Sequence, residues 1–197
     1  MDREKVNAYS LQAKKKKGER ITMLTAYDYP LARIIDQAGI DIVFVSDALG
    51  MTGLGYKSTL PLTMEEMLHH IRAVRRGVER AFVLACMPFM EYSTECVARK
   101  NAGGFVKEGG ADGVEVEGGW EVVKIAGTLT EAGIPTMVHI GLHASSYPGP
   151  ENSESWGKPP TKPLILSNWR LNAKRRGHLP LIWSACLTGS QRLLPRP

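Results

Sequence analysis

Asp41-Ile42-Val43-Phe44-Val45-Ser46-Asp47-Ala48-Leu49-Gly50-Met51-Thr52-Gly53-Leu54-Gly55 opens the stretch that decides the fold, and it runs on to Met67. Ile42 to Val45 is short, apolar and β-branched, which fits a strand buried on both faces. The run stops at Ser46-Asp47, and glycines follow at 50, 53 and 55, which predicts a long mobile loop. Thr63, with Glu66 three residues on, reads as the N-cap of an amphipathic helix. The order is strand, acid, loop, helix. In parallel α/β folds chemistry sits at the C-terminal strand ends, so Asp47 is either the first functional residue or the cap of a turn.

Working outward, the same unit repeats. Ile21 to Thr25, Ala81 to Ala85, Gly113 to Val116 and Pro135 to Ile140 read as further strands. Helical stretches lie between them, at 31–38, 63–76, 94–108 and 120–132, with an N-terminal one at 5–18. Glycines 39, 77, 109–110 and 133 stand where those helices close. Strands of about five residues alternating with helices of about twelve give successive βα units and a parallel sheet. Neither a GxGxxG after the first strand nor a P-loop is present, which counts against a nucleotide-binding open sheet. After about residue 142 the pattern fails, and 145–162 are rich in Ser, Pro, Gly and Lys. The sequence therefore predicts a partial barrel over 1–142 and an aberrant, disordered tail over 143–197.

With 197 residues, 43% hydrophobic and 23% charged, the chain can bury a core of one domain. No apolar run approaches membrane-spanning length and no signal peptide is visible, so a cytoplasmic protein without a membrane partner is expected. Cys86, Cys96 and Cys186 have no zinc-site or disulfide-framework spacing. The net charge of +5 is spread over Lys14–Lys17, Arg75-Arg76 and the tail. A lysine run at a helix end is ordinarily a solvated face that suits the helix dipole, so no nucleic-acid partner is expected.

The strand ends collect Asp47, Cys86, Glu117 and His139, with Tyr27-Asp28 after the first strand. Two carboxylates from neighbouring strand ends make a hard oxygen site for magnesium, which could chelate a 2-oxo acid and stabilise its enolate. Glu117 in Val-Glu-Gly-Gly is a metal-site acid or simply a helix-capping or surface one. His139 reads more readily as a hydrogen-bonded core histidine, and Cys86 as a small buried hydrophobe.

These residues lie in motifs that resemble one family. They are Met23-Leu24-Thr25-Ala26-Tyr27-Asp28, Ser46-Asp47-Ala48-Leu49-Gly50-Met51, Ser58-Thr59-Leu60-Pro61-Leu62-Thr63-Met64-Glu65-Glu66-Met67, Met87-Pro88-Phe89-Met90 and Glu117-Gly118-Gly119. In this order, over about 5–142, the chain resembles the ketopantoate hydroxymethyltransferases, also called 3-methyl-2-oxobutanoate hydroxymethyltransferases. The resemblance implies a (βα)8 TIM-type barrel of the phosphoenolpyruvate mutase/isocitrate lyase-like superfamily, truncated here after about five strands. It implies a homo-oligomer, often a decamer. The implied activity is hydroxymethyl transfer from 5,10-methylenetetrahydrofolate to 3-methyl-2-oxobutanoate, with Mg2+, giving 2-dehydropantoate for pantothenate synthesis. Its small-molecule partners are thus a 2-oxo acid and a folate.

Carried across, Asp47 stands for a metal-ligand aspartate and Glu117 for a metal-associated glutamate. Ala48 replaces a substrate-touching serine, Cys86 the second metal-ligand aspartate, and Glu115 a lysine that binds the substrate carboxylate. A thiol is a poor magnesium ligand, and a glutamate repels a carboxylate. Three readings follow: an impaired hydroxymethyltransferase, a non-catalytic assembly or binding module, and a carbon–carbon lyase on another 2-oxo acid.

The family's catalytic glutamate has no counterpart in the chain as written. Codons built from the last base of each residue and the first two of the next, from Ala173 to Arg196, can spell a segment containing Leu-Glu-Cys-Val-Pro. That segment resembles the family's catalytic strand, and Trp183 followed by Ser184 yields its glutamate. The expectation is a frameshift between about 142 and 156, leaving 143–197 without a functional site.

Overall fold

The computed structural model describes residues 4–119, 121–141 and 181–185. In chain order the elements are α1 (Ala8–Lys17), β1 (Met23–Thr25), α2 (Tyr29–Gln37), β2 (Ile42–Val45), α3 (Leu49–Thr52) and α4 (Met64–Gly77). They continue as β3 (Phe82–Cys86), α5 (Glu95–Lys107), β4 (Gly113–Glu117), α6 (Glu121–Glu131), β5 (Thr136–Gly141) and β6 (Leu181–Ala185). The six strands form one sheet in sequence order, every pair parallel. Among the described residues its edges are β1 and β6.

The five strands expected before residue 142 are all present, and the structure adds a sixth from the tail. Leu181-Ile182-Trp183-Ser184-Ala185 pairs with β5 from Met137↔Leu181 to Gly141↔Ala185. The run is apolar and β-prone, but no readable helix leads into it, so its periodicity alone did not mark it as a strand. The remainder of 143–197 lies outside the described residues.

Residues along a strand alternate between the two faces of the sheet, so register sorts the chain into two layers. Val43, Val45, Val83, Ala85, Val114, Val116 and Val138 pack with the buried residues of the helices, including Ile35, Ile71, Val74 and Phe105, in the larger core. On the opposite face Ile42, Phe82, Leu84 and Met137 form a second cluster with Val6 and Leu11. α1 therefore closes the N-terminal end of that inner face. Leu11 is the one residue of α1 that is buried, so α1 is an anchored lid rather than the amphipathic helix expected. Lys14 is also more than a solvated charge. Its Nζ lies 2.7 Å from Oδ1 of buried Asp41, which accepts from the Thr22 N–H and hydroxyl as well.

Local signals place the helices that carry the strands' far ends. Thr63 Oγ1 accepts from the Glu66 N–H at 3.2 Å while Glu66 Oε2 accepts from the Thr63 N–H at 2.9 Å, the capping box expected. The expected mobile loop after Asp47 instead opens with α3, in which Gly50, Met51 and Thr52 donate back to Asp47, Ala48 and Ala48 carbonyls. Among the described residues no helix is long and apolar enough to cross a membrane.

Candidate metal centre

At their C-terminal ends the strands stop burying apolar side chains on the inner face and present acids instead. Cys86 ends β3 and is the register partner of Glu115 in β4. Glu117, two residues on, shares the face of Glu115 and is the partner of His139 in β5. Asp47 follows β2 by two residues and sits where the chain turns into α3. One ligand atom each from Asp47, Cys86 and Glu117 lie within 4.8 Å of one another, and all three side chains are buried.

Water is scarce there, and like charges converge. Burial, then the Glu117 charge, pushes the Asp47 carboxyl up to about 6, although the Ser46 hydroxyl donates to its Oδ1 at 3.2 Å. Burial and then Glu117 push Glu115 up to about 8. The Cys86 thiol is driven far above its ordinary range by burial and by Asp47, Glu115 and Glu117, so in the metal-free protein it is neutral. His139 goes the other way for a base. Its Nδ1 lies 2.9 Å from Glu117 Oε1, and that hydrogen bond raises its proton affinity against the effect of burial. An imidazole hydrogen-bonded to a carboxylate fixes the direction in which that carboxylate points.

The structure sorts the sequence-predicted residues by place. Asp47, Cys86 and Glu117 come together, and Glu115 lies beside them. His139, read as a core histidine, is part of the site through Glu117. Asp28 belongs to the fold, its Oδ1 accepting from the Leu31 N–H at 2.8 Å as the N-cap of α2. Ala48 gives the site no polar side chain; its N–H donates to Ser46 Oγ at 3.2 Å. Trp183 and Ser184 lie in β6, with Trp183 the register partner of His139.

Two neighbours escaped the sequence reading. Tyr92 donates its hydroxyl to the Glu117 carbonyl at 3.0 Å, and Thr59 is buried beside Asp47, its hydroxyl facing the carboxylate and favouring its charged form. Thr59 lies inside a motif quoted for the resemblance, so its position was marked while its role was not. Tyr92 stands on the β3–α5 connection, just past the strand end, where periodicity carries no signal.

Asp47 and Glu117 suit magnesium, which takes few protein carboxylates and keeps several waters. Cys86 does not, because a soft sulfur replaces a hard oxygen in the third position.

A family model described as ketopantoate hydroxymethyltransferase matches residues 5–159. The chain is 50% identical over 144 residues to a 3-methyl-2-oxobutanoate hydroxymethyltransferase of Thermoanaerobacter sp. (strain X514), covering 73% of this chain and 53% of that protein. It therefore spans about half the length of the curated relatives it matches. By structure it is similar to a phosphonopyruvate hydrolase solved with oxalate and Mg2+, with a TM-score of 0.64, 16% identity, and 91% and 64% of the two chains covered. It is also similar to 2,3-dimethylmalate lyase, a PEP mutase/isocitrate lyase superfamily member, with a TM-score of 0.57, 13% identity, and 90% and 61% covered. These likenesses show a shared α/β fold, of which six parallel strands are described here. On the extent of the family match, the chain belongs to the ketopantoate hydroxymethyltransferase family.

Proposed function

We propose that this chain carries the cation- and keto-acid-binding half of a hydroxymethyltransferase site and turns over poorly or not at all. The family reaction adds a one-carbon unit from 5,10-methylenetetrahydrofolate to 3-methyl-2-oxobutanoate, giving 2-dehydropantoate for pantothenate synthesis, in a cytoplasmic homo-oligomer. Magnesium, when bound in such a site, chelates the keto acid and stabilises its enolate. The observation that carries the reading is the convergence of Asp47, Cys86 and Glu117 at adjacent strand ends.

Each residue has a part that its own chemistry supports. Asp47 and Glu117 supply the hard oxygens. His139 and Tyr92 hold Glu117 from its side chain and its backbone carbonyl. Glu115 argues for impairment. A buried acid in the place implied for a carboxylate-binding lysine opposes a keto acid's own carboxylate once it ionises. No general base for the transfer is placed among the described residues.

The test is an assay of the full chain with divalent cation, 3-methyl-2-oxobutanoate and methylenetetrahydrofolate, followed for 2-dehydropantoate. The parent is expected to form none above background. The double variant Cys86→Asp, Glu115→Lys is expected to bind the keto acid more tightly in calorimetry and still fail to turn over. Rapid product formation by the parent would overturn the impaired reading. Absence of keto-acid binding by the repaired variant would overturn the assignment of the site.

A further inference from the structure

We infer that the Asp47–Cys86–Glu117 cluster selects a thiophilic borderline cation of the zinc and cobalt class over magnesium. The inference deepens the metal-site reading above and takes its direction from the disagreement between the donor set and the family's ion.

The geometry suits such an ion. Oxygen and sulfur ligands on one tetrahedral ion, with bonds of about 2.0 to 2.3 Å, stand roughly 3 to 4 Å apart. The three donor atoms already lie within 4.8 Å of one another before any ion arrives. All three side chains are buried, at 3%, 1% and 8% exposure for Asp47, Cys86 and Glu117, so little order remains to be imposed. Cys86 closes β3 between paired strands, which keeps its sulfur at the site. Three protein ligands leave a fourth position open, as in zinc sites that bind substrate. The Glu117–His139 hydrogen bond supplies the outer support that metal-ligating groups usually have.

The chemistry separates the ions. Sulfur ligates as thiolate, so an entering ion must release the Cys86 proton to solvent. Zinc and cobalt bind thiolate strongly enough to do this, and a coordinated thiol is deprotonated outright. Magnesium gains nothing from sulfur, so it keeps two protein oxygens and leaves a neutral thiol against its hydration shell. With a thiophilic ion three negative ligands meet a double positive charge. With magnesium only two do.

Cobalt(II) titration of the full chain, without keto acid or folate, reads the ligand directly. A thiolate-to-cobalt charge-transfer band in the near ultraviolet is expected, together with the intense visible bands of a tetrahedral ion. Zinc should displace the cobalt, and magnesium in large excess should not. Cys86→Ser should abolish the band and weaken binding by at least about 10–100-fold, the loss typical of even an outer partner. Cys86→Asp should reverse the preference, so that magnesium competes. A variant with Cys96→Ser and Cys186→Ser should keep the band, and circular dichroism checks that each variant folds. Cobalt binding without the band, no cobalt binding, a band lost in the Cys96/Cys186 variant, or equal competition by magnesium would each overturn the inference. The spectrum needs no turnover, so failure of the transferase assay leaves this test intact, and failure here leaves the keto-acid assay to be judged separately.

Discussion

Cys86 and Glu115 are register partners across the β3–β4 ladder. The thiol and the buried acid on which the impaired reading rests are therefore neighbours on one face, and their effects are coupled. Without divalent cation, Cys86→Asp adds a carboxylate to a site that already holds Asp47, Glu115 and Glu117, and melting temperature should fall. Glu115→Lys in the same chain should recover most of the loss. The coupling expected for touching charged residues is about 0.5–3 kcal/mol. Thermal denaturation of the two single variants and the double variant checks it. Effects that add to within about 0.5 kcal/mol would show that the positions do not communicate.

Stability should fall as pH rises through the neutral range. Asp47, pushed up to about 6, and Glu115, pushed up to about 8, both bind protons more tightly folded than unfolded. The raised proton affinity of His139 acts in the same sense. Each contribution is full below the group's unfolded pKa and is lost as pH rises through the folded one. For Glu115 the window runs from its ordinary 4.5 to about 8. Glu115→Gln should flatten that part of the profile and exceed the parent at pH 9 by on the order of 5 kcal/mol, a tenfold change in proton affinity being worth about 1.4 kcal/mol. Denaturant titrations at several pH values decide it. A parent as stable at pH 9 as at pH 5 would contradict it.

At the other end of the inner face, Lys14 and Asp41 give a contrasting pair. Burial alone would raise the Asp41 carboxyl, but the Lys14 ammonium and Thr22 outweigh it and hold the group below its ordinary value. Lys14→Met should cost about 1–2 kcal/mol, since it leaves the buried Asp41 charge on Thr22 alone and Lys14 is about a third exposed (35%). Lys16→Met on the same helix should stay within about 0.5 kcal/mol. Because the Asp41 shift is downward, this contribution is lost as pH falls through its folded pKa. Equal effects of the two substitutions in chemical denaturation would refute the distinction.

The βα rhythm was legible because each buried strand is an uninterrupted apolar run and each helix begins on a capping residue. Phe82–Cys86 and Glu95–Lys107 fall within a residue of where the sequence put them. Gly39, at φ 85, takes the left-handed turn that its place after α2 required. Gly77 does end α4 as expected, but without a left-handed turn; an added Cβ there would come 2.6 Å from the Tyr29 carbonyl oxygen, so its smallness serves helix contact. The site was half legible. Carboxylates at strand ends announce themselves by position, whereas His139 and Tyr92 become site residues only through contacts with Glu117 that cross sequence. Lys14 escaped for the same reason, its partner being 27 residues away.

The reading-frame proposal makes a prediction about the gene. Its codons from Ala173 to Arg196 should spell the Leu-Glu-Cys-Val-Pro segment when read one base early. In the structure Trp183 partners His139, so a glutamate encoded across the Trp183–Ser184 join would return at or beside the strand position next to His139. Nucleotide sequencing together with intact-protein mass settles it. Codons that do not spell the segment would end the proposal, and a protein mass matching the shifted product would show that the chain as written is not the one made.

Glu115 and Glu117 alternate along β4 with Val114 and Val116, which lie in the helix-facing core. Site and core are thus written in one strand as odd and even positions. Inserting a single residue after Gly113 would exchange the two sets, sending two carboxylates into the packing of α5 and α6 and two valines toward Asp47 and Cys86. Such a change cannot be a mild catalytic lesion. In β4 the ability to hold a ligand and the ability to fold at all share a single parity, and neither can drift by one without the other.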